Sequence, residues 1–267
     1  MRLQNKVIIV TGSTTGIGKA IALRCVKEGA KVIIHGLEEK WGTEVLAIAG
    51  ETNAALYICD ITVRGAAESL VKEAIKNFGK LDAIVNNAAW IGSSNIHTTD
   101  EALFNKVIAT NTLAPFLLIK AALPHLSETH GCVLNIGSVN AYCGEPNLLA
   151  YSVSKGALMT MTRNLGDTLF RENGVRVNQI NPGWVLTEKE MERKREHGLG
   201  AEWYKELPAI YAPAGRILLP AEIAAAAVYW LDDESGPISG QVVDLEQHPF
   251  IGRNPPKDAT TIPENKK

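Results

Sequence analysis

Three residues have the types and spacing for proton chemistry: Ser138, Tyr151 and Lys155. Tyr151 and Lys155 stand four apart where a helical pattern begins, so a phenol and an ammonium share one helix face. A free tyrosine has a pKa of about 10 and a lysine about 10.4, and a positive charge nearby favours the phenolate. Tyr151 is therefore a candidate general acid/base. Ser138, at the end of the strand pattern GCVLNIGS, is a candidate donor to the oxygen of a reacting carbonyl or alcohol. Taken alone, the Tyr-Lys pair also has a plain reading as a half-buried ring beside a solvated amine, so it needs company.

The elements that must position these groups alternate along the chain. KVIIVTG, KVIIHG, AALYICD, LDAIVNN, GCVLNIGS, VRVNQINPG and GQVVDL at 240–245 read as short buried strands. Helical patterns separate them, the first being GIGKAIALRCVKEGA, closed by Gly29. The longest, TDEALFNKVIATNTLAPFLLIKAALPHL, has Pro115 predicted at a bend and Pro124 at its end. Short apolar strands separated by helices predict parallel strands joined by crossovers, an α/β sheet covered on both faces. No repeat or low-complexity linker divides the chain, which reads as one domain.

The first strand-helix junction, Thr11-Gly12-Ser13-Thr14-Thr15-Gly16-Ile17-Gly18, puts glycines where the backbone must turn tightly into a helix. Such a helix start offers free N–H groups to a phosphate. Asn86-Asn87-Ala88-Ala89 ends the fourth strand, at the expected switch point of the sheet, where ligands bind in such folds. Asn111 lies inside an apolar helix, and a buried amide there needs a partner.

With these residues in order, the chain resembles a short-chain dehydrogenase/reductase from Lys6 to about Asp244. The resemblance is carried by TGSTTGIG at 11–18, Asp60-Ile61, NNAA at 86–89, Asn111, Ser138, Tyr151-x-x-x-Lys155, and Pro182-Gly183 with Thr187 beyond. It implies a Rossmann-type doubly wound, seven-stranded parallel sheet with helices on both faces, a single domain over 1–250. A substrate lid at about 184–213 and a surface tail at 251–267 complete the expected layout. It implies a secondary alcohol–ketone oxidoreductase, with NAD or NADP as cofactor and Asn111, Ser138, Tyr151 and Lys155 as catalytic set. Lys155 would lower the pKa of Tyr151, and Asn111 would hold a water linking Lys155 to solvent. The cofactor contacts implied are Gly12, Ser13, Thr14, Thr15, Gly16, Ile17, Gly18, Gly36, Leu37, Asp60, Ile61, Asn87, Ala88, Ala89, Tyr151, Lys155, Pro182, Gly183, Val185 and Thr187. The substrate would meet Ser138, Asn140, Glu145, Tyr151 and Trp184. A dinucleotide binder without turnover, serving regulation or scaffolding, is the alternative.

The departures from the family pattern are informative. Ala89 replaces the usual glycine of NNAG. Gly36 stands where NAD-preferring members carry an acid, and Leu37 where NADP-preferring members often carry an arginine, so the reading leans only slightly to NADP. VDLE replaces VDGG near the end, with Leu245 and Glu246 altering the contact there. The loop holding Asn140, Tyr142, Glu145 and Asn147 is polar, which suits a sugar, polyol or hydroxy acid; its residues equally suit plain loop capping. The run EKEMERKREHG reads as a solvated helix face, with Arg193 or Arg195 in reach of an anionic substrate.

Composition narrows the alternatives. The chain has 267 residues, 46% hydrophobic, and a net charge of −2, with no basic cluster to suggest nucleic acid or an anionic membrane. The N-terminal apolar run is too short for a signal sequence, and no window is expected to span a bilayer. Cys25, Cys59, Cys132 and Cys143 have no paired spacing and read as reduced thiols of a cytoplasmic protein, Cys143 as a small loop residue. The histidines form no HExxH pair, Ile136 breaks a Gly-x-Ser-x-Gly elbow, and Lys19 lies in no Walker triplet. Apolar residues on more than one face of the helices near 101–123 and 151–171, including Leu117, Leu118, Leu158, Met159 and Met161, predict burial against a second copy, and with the family resemblance a homotetramer.

Overall fold

The computed structural model describes residues 1–255, 257 and 261; of the predicted tail, the remaining positions lie outside the described residues, as does the side chain of Cys143. Seven parallel strands form one sheet in the order β3-β2-β1-β4-β5-β6-β7. They are β1 Val7–Val10, β2 Lys31–Gly36, β3 Ala54–Ile58, β4 Ala83–Asn86, β5 Cys132–Ile136, β6 Arg176–Pro182 and β7 Val242–Leu245. The order reverses between β1 and β4, leaving a crevice at their carboxyl ends. This is the single-domain parallel α/β sheet that the strand-helix alternation predicts, in the Rossmann-type form that the family resemblance implies.

Two-residue periodicity builds both cores. Ile8 and Val10 of β1 pack with Ile21 and Cys25 of α1 (Gly16–Lys27), Val45 of α2 (Glu39–Ala49) and Ile223 and Val228 of α9 (Pro220–Leu231). Val7 and Ile9 point the other way, against Leu70 of α3 (Ala66–Phe78), Leu118 and Leu126 of α5 (Ala114–Thr129) and Leu169 of α7 (Leu149–Asn173). Fully burying each such side chain stabilises the fold by roughly 1.5–3 kcal/mol.

The long helical run departs from expectation. α4 (Glu101–Ile108) passes through a π turn, Ala109–Leu113, into α5, which continues past Pro124 to Thr129. Pro124 removes one helical donor without ending the helix, because the residues around it stay packed: Ala122 and Leu126 are buried. By length and composition the run Glu101–Thr129 is also apolar enough to cross a membrane, contrary to the sequence expectation. Its inner side is core: Leu118, Ile119, Ala122 and Leu126 are buried against the sheet and α3.

Candidate active site

A cavity of about 1010 Å³ opens at the carboxyl ends of the strands and runs from the glycine turn to Tyr151. The turn is shaped by close packing. Gly12 and Gly16 take φ of +61° and +56°, and a Cβ on Gly12 would come within 2.8 Å of the Ala88 backbone. Asn87 binds the turn to β4: its Nδ2 donates to the Thr11 and Gly12 carbonyls at 2.9 and 3.0 Å. The Gly16 N–H, at the start of α1, donates to the Glu188 carboxylate at 3.2 Å, so this position already accepts an anion. A diphosphate fits the same donor set.

Of the predicted cofactor contacts, Gly12, Thr14, Thr15, Gly16, Ile17, Gly36, Leu37, Asp60, Ile61, Asn87, Ala88, Ala89, Pro182, Gly183, Val185 and Thr187 line this cavity. Ser13 and Gly18 do not. Ser13 is fully buried behind the turn, its hydroxyl donating to the Val10 carbonyl at 2.7 Å and accepting from the His35 N–H. Gly18 packs against the Gly12 carbonyl, leaving no room for a side chain. Both shape the turn from behind. Thr14 fills the space over Gly36: a Cβ there would lie 2.5 Å from the Thr14 methyl. Asp60 accepts from the Thr62 N–H and hydroxyl at 2.9 and 2.7 Å, which holds its carboxyl below the usual range.

The chemical end is built by β5 and the start of α7. Ser138 and Tyr151 line the cavity together, the serine side chain favours the phenolate, and the Ser138 oxygen accepts from the Asn140 N–H at 3.1 Å. Tyr151 and Lys155 are both buried. Lys155 Nζ donates to the Ile136 carbonyl at 2.7 Å and lies 5.6 Å from the centroid of the Tyr151 ring. Burial pushes the Tyr151 phenol up to about 12 against the opposing effect of the Ser138 side chain, and pushes Lys155 down to about 8. Among the protein's own groups, the charges that act on the phenol are Arg193, which favours the phenolate, and Glu190, which opposes it.

Asn111 does not line the cavity either. Its Oδ1 accepts from the Trp90 N–H at 2.8 Å, and its Nδ2 donates to the Trp90 carbonyl and to Ser154, both at 3.0 Å. The side chain is consumed in fixing the loop after β4 against α7. The π turn around it has a local cause: Pro115 lacks the N–H that an α-helix would give to the Asn111 carbonyl.

Asn140, Glu145 and Trp184 line the cavity, whereas Tyr142 turns away to Asp244, and Asn147 uses its carbonyl to accept from the Ser94 N–H. The Trp184 ring stacks on Trp203 at 5.1 Å, and its Nε1 donates to Glu190 at 2.7 Å. The segment after β6 folds as α8 (Glu188–Glu196), capped by the Thr187 side chain. The charged run there is not simply a solvated face, because Glu190, Arg193 and Lys194 line the cavity with Arg193 bonded to Glu190 at 2.7 Å.

Sequence reasoning missed further lining residues. Glu246 accepts from the Trp184 N–H at 3.0 Å and sits over Gly183, and His248, Phe250 and Arg253 follow it along the wall. The start of the predicted surface tail therefore borders the site. The altered VDLE sequence was the available hint. His35 was missed too: its Nδ1 accepts from the Gly12 N–H at 3.2 Å and bolts the turn to β2.

The profile described as enoyl-(acyl carrier protein) reductase matches residues 12–246. L-fucose dehydrogenase of Bos taurus is 36% identical over 230 residues, 85% of this chain and 83% of that protein. Glucose 1-dehydrogenase 2 of Bacillus subtilis is 34% identical over 250 residues, 91% and 94%. The 2-(S)-hydroxypropyl-CoM dehydrogenase 3 of Xanthobacter autotrophicus is 34% identical over 245 residues, 90% and 94%. With the sheet order, the glycine turn and the Ser138-Tyr151-Lys155 constellation, these likenesses establish that the chain belongs to the short-chain dehydrogenase/reductase family and is an oxidoreductase.

Proposed function

We propose that the protein interconverts a secondary alcohol and a ketone on a hydroxylated small molecule, with Tyr151 as general acid/base. The observation that carries this reading is a single cavity with an anion-accepting glycine turn at one end and Ser138, Tyr151 and Lys155 at the other. The lining residues of the turn, with Asp60 and Lys155, would hold a nicotinamide dinucleotide, which when bound supplies the hydride acceptor or donor. For oxidation Tyr151 must first be a phenolate, a form that burial opposes and that Lys155 together with the positive charge of an oxidised nicotinamide would favour. The phenolate would then take the substrate hydroxyl's proton while Ser138 hydrogen-bonds the same oxygen. Lys155 would bond the ribose of the bound dinucleotide and hold positive charge near the phenol. The Asn111 side chain is occupied, so a water of a proton relay toward Lys155 falls to its main-chain carbonyl.

A polar substrate is supported by Asn140, Glu145, Arg193 and Lys194 on the cavity wall. The relatives named for L-fucose and glucose make a sugar or polyol the first choice, and a hydroxy acid remains in the same class. The slight lean to NADP rests on the missing acid at Gly36. Glu38 and Trp41 line that end, and no arginine or lysine stands at Leu37, so the two dinucleotides should bind within about tenfold of each other.

Assembly as a homotetramer in the cytoplasm belongs to the same reading. Leu113, Phe116, Leu117, Leu149 and Val153 leave apolar surface on the π turn, α5 and α7, a face suited to a second copy. Sedimentation giving a monomer would contradict it.

The experiment is a fluorescence titration with NADH and with NADPH, followed by a panel of sugars and polyols with the oxidised form of whichever binds. Micromolar binding and oxidation of a panel member are expected. Binding without turnover on any polar alcohol favours a regulatory binder, and no binding of either nucleotide removes the reading.

A further inference from the structure

A continuous line of buried polar side chains runs behind the site. Asn86 Nδ2 donates to Asn135 at 2.8 Å, Asn135 to Thr162 at 2.8 Å, and Thr162 to Gln179 at 2.8 Å. Gln179 Nε2 then donates to Asn181 Oδ1 at 2.7 Å, and Asn181 Nδ2 to Asp244 at 3.0 Å. Asn135, Thr162, Gln179 and Asn181 are each wholly buried. A buried amide left unpaired costs about 1–3 kcal/mol, so a chain of satisfied amides fixes every member's orientation.

Two branches leave this line toward the loop that carries Ser138. Asn181 Oδ1 accepts from the Ser138 N–H at 3.1 Å. The Asp244 oxygen that holds Asn181 also accepts from the Tyr142 hydroxyl at 3.0 Å. Tyr142 sits on the short helix α6 (Asn140–Cys143), which follows Ser138 directly. Gly137 belongs to the same construction, since a Cβ there would strike the Asn181 and Gln179 side chains. The loop is thus gripped at its root by Asn181 and four residues later by Asp244.

We propose that Asn181 and Asp244 are positioning residues for Ser138, with Tyr142 as the second anchor of its loop, so that β6 and β7 set where the serine hydroxyl stands. The amide of Asn181 has one productive orientation: its oxygen faces two N–H donors and its nitrogen faces a carboxylate. The clamp rests on Ser138 being the group that binds the substrate oxygen. Its geometric content does not depend on that reading.

Hydrogen–deuterium exchange of the 137–148 segment tests the geometry without a substrate. Tyr142→Phe removes one hydroxyl and should fold normally; Asn181→Ala is the harsher change. Each should speed exchange in 137–148 by about tenfold while peptides of α3 are unchanged, and Asp244→Asn, which keeps an acceptor, should stay near wild type. Unchanged exchange in Tyr142→Phe and Asn181→Ala would overturn the clamp. Where the wild type oxidises D-glucose or L-fucose, Asp244→Asn should stay near wild type, whereas Tyr142→Phe and Asn181→Ala should each lower kcat about five- to tenfold with NADH affinity unchanged. That effect should vanish in a Ser138→Ala background. An effect of full size in that background would overturn positioning through Ser138. Wild-type protein that binds NADH but oxidises neither sugar counts against the proposed substrate class, and the exchange result still decides the clamp.

Discussion

Lys155 Nζ lies 5.6 Å from the centroid of the Tyr151 ring and is bonded at 2.7 Å to the Ile136 carbonyl. The ammonium is therefore anchored to the sheet rather than to the phenol. Burial holds Lys155 near 8, so it is charged at neutral pH and loses its charge as pH rises through about 8. A dinucleotide carries negative phosphates, and its affinity should follow that charge. NADH titrations from pH 7 to 9.5 should show Kd rising severalfold, with proton uptake on binding above pH 8. Lys155→Gln should bind more weakly and without that dependence. A flat wild-type profile would count against Lys155 as a cofactor contact.

His35 links β2 to the glycine turn through an imidazole that must stay neutral at Nδ1. Burial brings it down to about 4, against smaller opposing effects of the Cys59 backbone and the Asp60 charge, and its Nε2 is buried with no hydrogen-bond partner. The unfolded chain binds a proton near pH 6.5 and the folded chain only near 4, so stability falls as pH drops from about 6.5 toward 4. The full window is worth about 3 kcal/mol. Denaturant unfolding at pH 7, 5.5 and 4.5 should show that loss in the wild type, and Gln at position 35 should reduce the slope. Equal slopes would remove His35 from the account.

Gly36 is closed over by Thr14, at 2.5 Å from a would-be Cβ. Gly36→Asp alone should therefore weaken both NADH and NADPH, since the turn has to move. Combining it with Thr14→Gly should restore NADH while leaving NADPH at least tenfold weaker, because the new acid repels a 2′-phosphate. Paired fluorescence titrations decide the point.

Glu188 and the Gly16 N–H form a contact across 172 residues of sequence. A carboxylate at that donor competes with a phosphate for it. Glu188→Gln should tighten NADH binding by about three- to tenfold, more at low salt than at high, because a long-range charge is screened. Weaker binding in the variant would show that Glu188 helps the cofactor instead.

Much of this was legible in the chain. Tyr151 and Lys155 could be paired because four residues make one helical turn, and the sheet could be read because buried parallel strands appear as short apolar runs between helices. Asn111 was legible as a residue needing partners, but its partners, Trp90 and Ser154, lie on other elements and have no spacing to read. Pro124 misled because a proline ends a helix only where packing does not hold its flanks. Glu188 and Arg253 reach the cavity through tertiary folding alone, with no local mark in the sequence, and Glu246 had only the departure from VDGG to single it out.

The central claim is that Tyr151 moves the proton. The most direct measurement compares wild type and Tyr151→Phe for NADH binding and for oxidation of the best sugar or polyol. Tyr151→Phe should bind NADH within about threefold of wild type and lose at least about 10³-fold in kcat. A variant that binds NADH and still turns over at a tenth of the wild-type rate or better would contradict the account.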